Sequence, residues 1–432
     1  MINRLFVLFF LFYLNNSVIA QKYGNEWITY SQKHYRISIP QTGIYRINYS
    51  ALLTAGIPIS TINPKNFQIF IKGEEQYIRV DGEADNVFNT TDFIEFYAEK
   101  NNASFDSLAY EGITKMPNPY IALFNDTNYA FITWNTSLNN RRAAAETDVN
   151  FTNYTPTNYF YTEKVNAFVN SYSMGNTVLS VLSDPRYVVG EGYGISINKG
   201  GNVQSSFGNL NVFPSSSLPV YIKTSFSGTS SAFISGINYD HQVKLDYLDN
   251  LNTYGTLNDT TFSGYTQLCI EKQITSDKLQ DNSVVRINSV SNPLFLSLNN
   301  STNIHYIYLK YPQKPDFLNT NEQLFFVNDN PISLKTFLEI QNVNVGSSQI
   351  LFYDLTNHKY ISTSTAGNTV KALIPNSSNQ KKCFLTTTAN IKTVSVLQPV
   401  NQTGFFTNYK TTNTDSAFVI ITHKSLQAPS ND

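Results

Sequence analysis

Cysteine, tryptophan, methionine and net charge are all scarce in this chain. Its 432 residues hold two cysteines, two tryptophans and three methionines, and 30 basic residues face 31 acidic ones. A balance so near zero supplies no long-range attraction for nucleic acid or an anionic membrane, so neither is expected as a partner. Two cysteines cannot build a disulfide framework. They allow one pairing, Cys269 with Cys383, which an exported protein could form. Against that, Cys269 in Gln267-Leu268-Cys269-Ile270 reads as a small hydrophobe within a strand. Cys383 follows Lys381 and Lys382, which could lower a thiol pKa but also read as a solvated turn. The five histidines, His34, His241, His305, His358 and His423, are scattered. No two stand at metal-ligand spacing, and none adjoins a cysteine or a G-x-S-x-G elbow. The glycine-rich stretches Gly190–Gly194 and Asn198–Asn202 open no helix, so a phosphate-cradling loop is excluded. No internal repeat is evident.

Only one long apolar run exists, and it lies at the amino terminus. Leu5 to Leu14 is uninterrupted, Arg4 precedes it, and Val18-Ile19-Ala20 offers small residues before Gln21. This is the pattern of a secretory signal peptide over residues 1–20, too short to span a bilayer, with cleavage expected between Ala20 and Gln21. The mature chain is therefore expected to be exported, to the periplasm, the outer-membrane surface or the medium, without a transmembrane segment.

What remains is aromatic, polar and short of charge. Tyrosine and phenylalanine number 28 and 30, while charged residues make up 14%; such a composition suits pleated sheets and disfavours long helices. Residues 21–134 read as one β domain. Tyr35, Ile37, Ile39 and Tyr45, Ile47, Tyr49 alternate on either side of Pro40-Gln41-Thr42-Gly43, which predicts a hairpin. A short helix is expected over Ala51 to Ala55, capped by Ser50 and stopped by Gly56. Phe67–Ile71 and Gln76–Val80 predict a second hairpin, with Phe93–Tyr97 and Tyr129–Trp134 completing the sheet. Residues 135–156, with Arg141-Arg142, read as a linker or long exposed loop.

From 157 to 401 short strands recur, among them Val178–Leu182, Tyr193–Ile197, Val220–Thr224, Ala232–Ile237, Val243–Tyr247 and Ile304–Tyr308. So many half-apolar strands need two or more sandwich layers. The fold class is thus all-β, with tandem sandwiches of jelly-roll or immunoglobulin-like type and a division of this region near residue 315. Helix is expected only in short pieces such as Leu334 to Glu339. Residues 402–415, rich in Asn and Thr, read as a further linker.

One acidic stretch has the residue types a hard cation requires. Asp81, Glu83, Asp85 and Asp92 surround Gly82 and could offer oxygen ligands to Ca²⁺. The spacing lacks a twelve-residue loop and its closing glutamate, and an ordinary turn-rich connection from Val80 to Phe93 explains the same residues. No other cofactor is suggested.

The last stretch, Ser416-Ala-Phe-Val-Ile-Ile-Thr-His423-Lys-Ser-Leu426, carries a continuous β-branched run of the kind buried in parallel sheets. It resembles the opening strand of the catalytic domain of gingipain-type cysteine peptidases, in particular the PorU-like proteins of the Bacteroidetes type IX secretion system. Three more stretches are similar to that family. Gly43-Ile-Tyr-Arg-Ile-Asn-Tyr49 with Ala51-Leu52-Leu53 matches its G-x-Y-R-I-x-Y…L signature. Asp92-Phe-Ile-Glu-Phe-Tyr97 matches D-x-I-E-F-Y, and Gly190-Glu-Gly-Tyr193 matches a G-E-G-aromatic motif. The resemblance implies a cysteine peptidase with a Cys–His pair on a caspase-like α/β domain, of which residues 416–432 would be the truncated start. Neither catalytic residue carries over, since His423 belongs to the opening strand. As read here, the chain is the inactive, accessory β portion of such a protein, with partners among the secretion machinery or its secreted proteins. The rival reading is a surface adhesin or glycan-binding β-sandwich, which would require aromatics gathered on one exposed face.

Overall fold

The computed structural model describes residues 24–110, 115–176, 187–232, 236–291 and 301–411. The signal-peptide and cleavage-site expectations, the strand expected at Val178–Leu182, the centre of that expected at Ala232–Ile237, and everything assigned to 416–432 lie outside them.

The described chain is built from strands, in three packed sandwiches. In the first, the sheet Gln398–Pro399, Tyr35–Ile39, Asn128–Trp134, Phe67–Ile71, Glu74–Glu75 faces the sheet Lys392–Thr393, Gly43–Asn48, Phe93–Ala98, Arg79–Val80. Between them lie Ile37, Ile39, Ile47, Phe67, Ile69, Ile94, Phe96 and Ile132, all at most 1% exposed. Each such side chain contributes roughly 1.5–3 kcal/mol by burial.

The hairpin expected across Pro40-Gln41-Thr42 does not form. Tyr35–Ile39 pairs with Asn128–Trp134, while Gly43–Asn48 pairs with Phe93–Ala98 in the opposite sheet. The turn is a corner between layers, closed by the Tyr45 hydroxyl donating to the Gln41 carbonyl at 2.7 Å. The second expected hairpin is cut short in the same way. Glu74–Glu75 folds back on Phe67–Ile71, then Arg79–Val80 crosses to pair with Phe93–Ala98. The short helix spans Tyr49–Thr54 and begins one residue before Ser50, with no side-chain cap. Gly56, at φ +72°, ends it as expected of a left-handed stop.

The second sandwich packs the sheet of Ser171–Met174, Glu191–Asn198, Ser301–Gln313, Phe160–Ala167, Pro219–Gly228 and Gln267–Thr275 on the four strands Asn202–Phe207, Ser283–Ser289, His241–Leu248 and Tyr254–Phe262. Phe226, Val285, Ile287, Ile307, Leu309 and Tyr311 fill its core. The larger sheet runs on into the third sandwich through one bridge, Phe326 to Tyr161. There Gln323–Val327, Lys381–Thr387 and Ile350–Asp354 face Lys335–Ile340, Thr369–Pro375 and Thr363–Ala366 across Phe325, Leu338, Phe352 and Leu385. The helix expected at Leu334 to Glu339 is therefore a strand. Pairing with Thr369–Pro375 and burial of Phe337, Leu338 and Ile340 override its weak local preference.

Two segments read as linkers are built into the sandwiches. Within 135–156, Ala144–Glu146 pairs in parallel with Lys359–Ile361. The Arg142 guanidinium donates to the carbonyls of Pro64, Lys65 and Phe67. At the other end the chain returns to its beginning. Lys392–Thr393 and Gln398–Pro399 extend the two amino-terminal sheets, and Val394 and Leu397 enter that core. Beyond the expected division at 401, Phe406 still packs on Trp27, His34 and Phe131.

Candidate functional site

The three family-like motifs that lie within the described residues meet at two buried clamps. In the pairing of Gly43–Asn48 with Phe93–Ala98, Arg46 stands directly opposite Glu95. The Glu95 side chain is wholly buried. Arg46 donates to its Oε1 through Nε at 2.8 Å and Nη2 at 2.5 Å, and Arg79 Nη1 donates to Oε2 at 3.2 Å. The Tyr353 hydroxyl, from Ile350–Asp354 of the third sandwich, donates to the same Oε2 at 3.0 Å. The Phe93 ring lies beneath both guanidinium groups. Around this polar knot Ile44 and Tyr97 pack on Leu351, Tyr353 and Phe384. A desolvated carboxylate is tolerable only with such full pairing. Arg46 and Glu95 thus join the first sandwich to the third.

The Gly190–Gly194 motif is the second clamp. Tyr193 and Gly192 present carbonyls that accept from His305 Nδ1 at 2.8 Å and Asn303 Nδ2 at 3.2 Å, and the Gly190 carbonyl lies 3.4 Å from Ser227 Oγ. His305 is the extra residue of a bulge in the long strand, where pairing with Pro219–Gly228 steps from Tyr306 to Ile304, and it lies on the face opposite the second core, beside Ser227. Burial holds its imidazole neutral, with a pKa lowered to about 4 despite the bond to Tyr193. Nδ1 then carries the proton and Nε2 accepts from Ser227 at 2.9 Å. Glycine at 194 makes room for the Asn303 side chain, which would stand 2.5 Å from a Cβ there. Tyr110 and Asn118, carried across from the first sandwich, donate to the carbonyls of Glu191 and His305.

A serine–histidine–aspartate sequence of contacts escaped the sequence reading. Asp240 Oδ1 lies 2.8 Å from His241 Nδ1, and Ser230 Oγ 3.4 Å from Nε2. The Ser301 carbonyl is closer to Nε2, at 3.1 Å, and Ser230 Oγ accepts from the Ser301 amide. With His241 and Asp240 each 1% exposed, no substrate reaches the base. The group braces a turn. Its signal in the sequence was no more than the adjacent pair Asp240-His241.

The calcium candidates are not gathered around a common point. Asp81 pairs with Arg79 and Glu83 with Arg142. Asp85 accepts from the Val87 amide and Asn89 Nδ2, and Asp92 accepts from the Asn89 amide. Among the described residues, no three His, Cys, Asp or Glu side chains converge as a metal site. Gly82, at φ +85°, permits the close approach of Asp92, since a Cβ there would fall 2.1 Å from its carboxyl carbon.

The pairing that the two cysteines allow is not made; both thiols are free, Cys269 exposed on the outer face and Cys383 buried in the third core. Burial pushes the Cys383 thiol far above its ordinary pKa, the reverse of activation by Lys381 and Lys382. The Lys381 ammonium turns instead to Asp329. Cys269 Sγ contacts the Tyr306 hydroxyl at 3.5 Å.

One outer face of the second sandwich gathers aromatics that are buried or half-buried. Side chains alternate along a strand, so Ile307, Leu309 and Tyr311 enter the second core while Tyr306, Tyr308 and Lys310 face outward. Cross-strand register sets Glu163, Lys310 and Tyr221 in one row, and Tyr308, Lys223 and Glu271 in the next. Tyr308 donates to Glu163 at 2.7 Å, and Lys310 donates to Gln380 at 2.8 Å while lying over the Phe326 ring. Tyr120, from the first sandwich, stacks on Tyr308 and forms a wall. Burial and then the neighbouring carboxylate raise the Tyr308 phenol well above its ordinary pKa, so it remains a neutral donor. The result is a groove of about 520 Å³ closed by Asn328 and Gln380 of the third sandwich.

Known proteins offer a likeness of fold. No family model matches the chain, and no curated protein does. Dimeric latent PorU from Porphyromonas gingivalis superposes with a TM-score of 0.52 over 86% of this chain, at 11% identity. The chain spans about a third of that protein, 33% of its length. The CBM36-1 domain of a multidomain xylanase from the hindgut metagenome of Trinervitermes trinervoides gives 0.18 over 34% of this chain and 96% of its own, at 13% identity. The CBM22-1 xylan-binding domain from Paenibacillus barcinonensis gives 0.17 over 38% and 91%, at 11% identity. The last two overlaps are too slight to bear on function. The first is a likeness of fold alone.

Proposed function

We propose that these sandwiches are the non-catalytic amino-terminal portion of an exported, PorU-like protein of the gingipain-type cysteine peptidases. Their role in type IX secretion is accessory: docking secreted proteins, or components of the secretion machinery, for processing at the outer membrane. One observation carries the reading. Motifs matched to that family from sequence fall on the two clamps that fasten the sandwiches together, in a fold like that of PorU over most of the chain. A docking platform needs its parts held in fixed relation, and the clamps supply that rigidity. Cys383 is buried, and Cys269 contacts the Tyr306 hydroxyl.

The test is genetic and biochemical. Removing the gene from a type IX-secreting host should leave secreted proteins with their sorting segments attached, read by mass spectrometry, and restoring it should reverse this. Processing that continues unchanged without the gene would overturn the proposal.

A further inference from the structure

We propose that the tyrosine-bearing groove on the second sandwich binds a neutral oligosaccharide. The inference is independent of the type IX reading, since it rests on the chemistry of one face. At about 520 Å³, the groove falls within the ~300–1,000 Å³ of ordinary small-ligand sites. Its lining narrows the class of occupant. Lys223 and Lys310 are balanced by Glu163 and Glu271, so it has no net charge with which to hold nucleic acid or a strongly acidic polymer. It lies on the face of a sheet, where side chains rather than a backbone row line it, although Glu271 comes from the edge strand Gln267–Thr275, so strand addition by a peptide would not fill it. Fatty or sterol-like ligands would strip water from four charged side chains, Glu163, Lys223, Glu271 and Lys310, and offer no hydrogen bond in return.

A neutral sugar fits both halves of this surface. Each hydroxyl donates and accepts, matching the alternation of Glu163, Lys310 and Gln380, while its C–H face suits the rings of Tyr221 and Tyr308. The lining is also pre-set. Tyr308 is fixed by Glu163, Lys310 by Gln380, and Gln380 by Asn328 at 2.8 Å. Little side-chain freedom remains to be lost on binding. Because Tyr120 comes from the first sandwich and Asn328 and Gln380 from the third, the complete groove exists only when all three are assembled.

The experiment is calorimetric titration of the whole chain with soluble hexasaccharides of xylose, glucose and mannose, and with hexagalacturonate as an acidic comparator. Saturable binding of at least one neutral sugar is expected. Tyr221→Ala should weaken it about tenfold, the loss of one stacking ring, without shifting the thermal midpoint. Lys223→Gln serves as a second variant, should Tyr221→Ala fail to fold, and should also weaken binding. No binding of any neutral sugar at millimolar concentration would overturn the proposal. So would preference for hexagalacturonate, or affinity indifferent to both substitutions.

Discussion

Replacing Glu95 should loosen two sandwiches at once. The carboxylate is fully buried and accepts from Arg46, Arg79 and Tyr353. Glu95→Ala would strand two guanidinium groups and a phenol. Breaking a buried pair by removing one partner costs about 3–5 kcal/mol. Here the arginine side chains keep 24% and 25% exposure, so water recovers part of that, and about 2–4 kcal/mol is the expected loss. Tyr353→Phe removes one hydrogen bond to a charged acceptor and should cost about 1.5–3 kcal/mol. The informative quantity is their coupling, because Tyr353 belongs to a different sandwich. In a double-mutant cycle followed by urea unfolding, the two losses should fall short of additivity by about 1–2 kcal/mol. Unfolding should be read both by tyrosine fluorescence and by far-ultraviolet circular dichroism, since a multi-module chain need not unfold in one step. Additive losses would mean the clamp does not join the sandwiches, and the account of both motifs would fail.

Three further outcomes are expected. His305 is neutral when folded, with a pKa near 4 against an ordinary 6.5. The unfolded chain therefore binds the extra proton first as pH falls, and stability present above about pH 6.5 is lost progressively towards pH 4, by about 3 kcal/mol. A His305→Gln variant should show a flatter pH dependence of its urea midpoint than the parent, and equal slopes would refute this. Alkylation by iodoacetamide should modify Cys269 in the native protein and Cys383 only after unfolding, and mass spectrometry finding equal rates would contradict the burial. Gly194→Ala forces a methyl against Asn303 and should cost about 1–3 kcal/mol in unfolding free energy; an unchanged midpoint would show that the clamp yields.

Strand positions were legible where alternation was strong. Val220–Thr224, Val243–Tyr247 and Ile304–Tyr308 all lie within strands of the second sandwich. Pairing was not legible. The alternation flanking Pro40 is the same whether the chain folds back on itself or turns a corner into the opposite sheet, since both bury the same apolar side chains. The return of Lys392–Thr393 and Gln398–Pro399 to the first sandwich left no local trace, because two-residue strands carry no period. Leu334 to Glu339 failed for another reason. Its spacing suits either element, and only the facing strand Thr369–Pro375 decides between them. For the sites, sequence resemblance marked Arg46, Glu95 and Gly190–Gly194 as notable but gave them no role. The role came from Tyr353 and His305, which lie 258 and 112 residues away from Glu95 and Tyr193 respectively. The outer tyrosines were visible as composition, and their common face appears once cross-strand register is known.

The claim that the chain is a docking platform in type IX secretion is tested most directly by cross-linking in living cells. The tagged chain would be exported in a type IX-secreting bacterium, cross-linked, recovered under denaturing conditions and its partners identified by mass spectrometry. The account predicts cross-links to identified secretion components, or to secreted proteins still bearing their sorting segments, and their loss when Glu95→Ala opens the clamp. Recovery of the chain without either class of partner would contradict it.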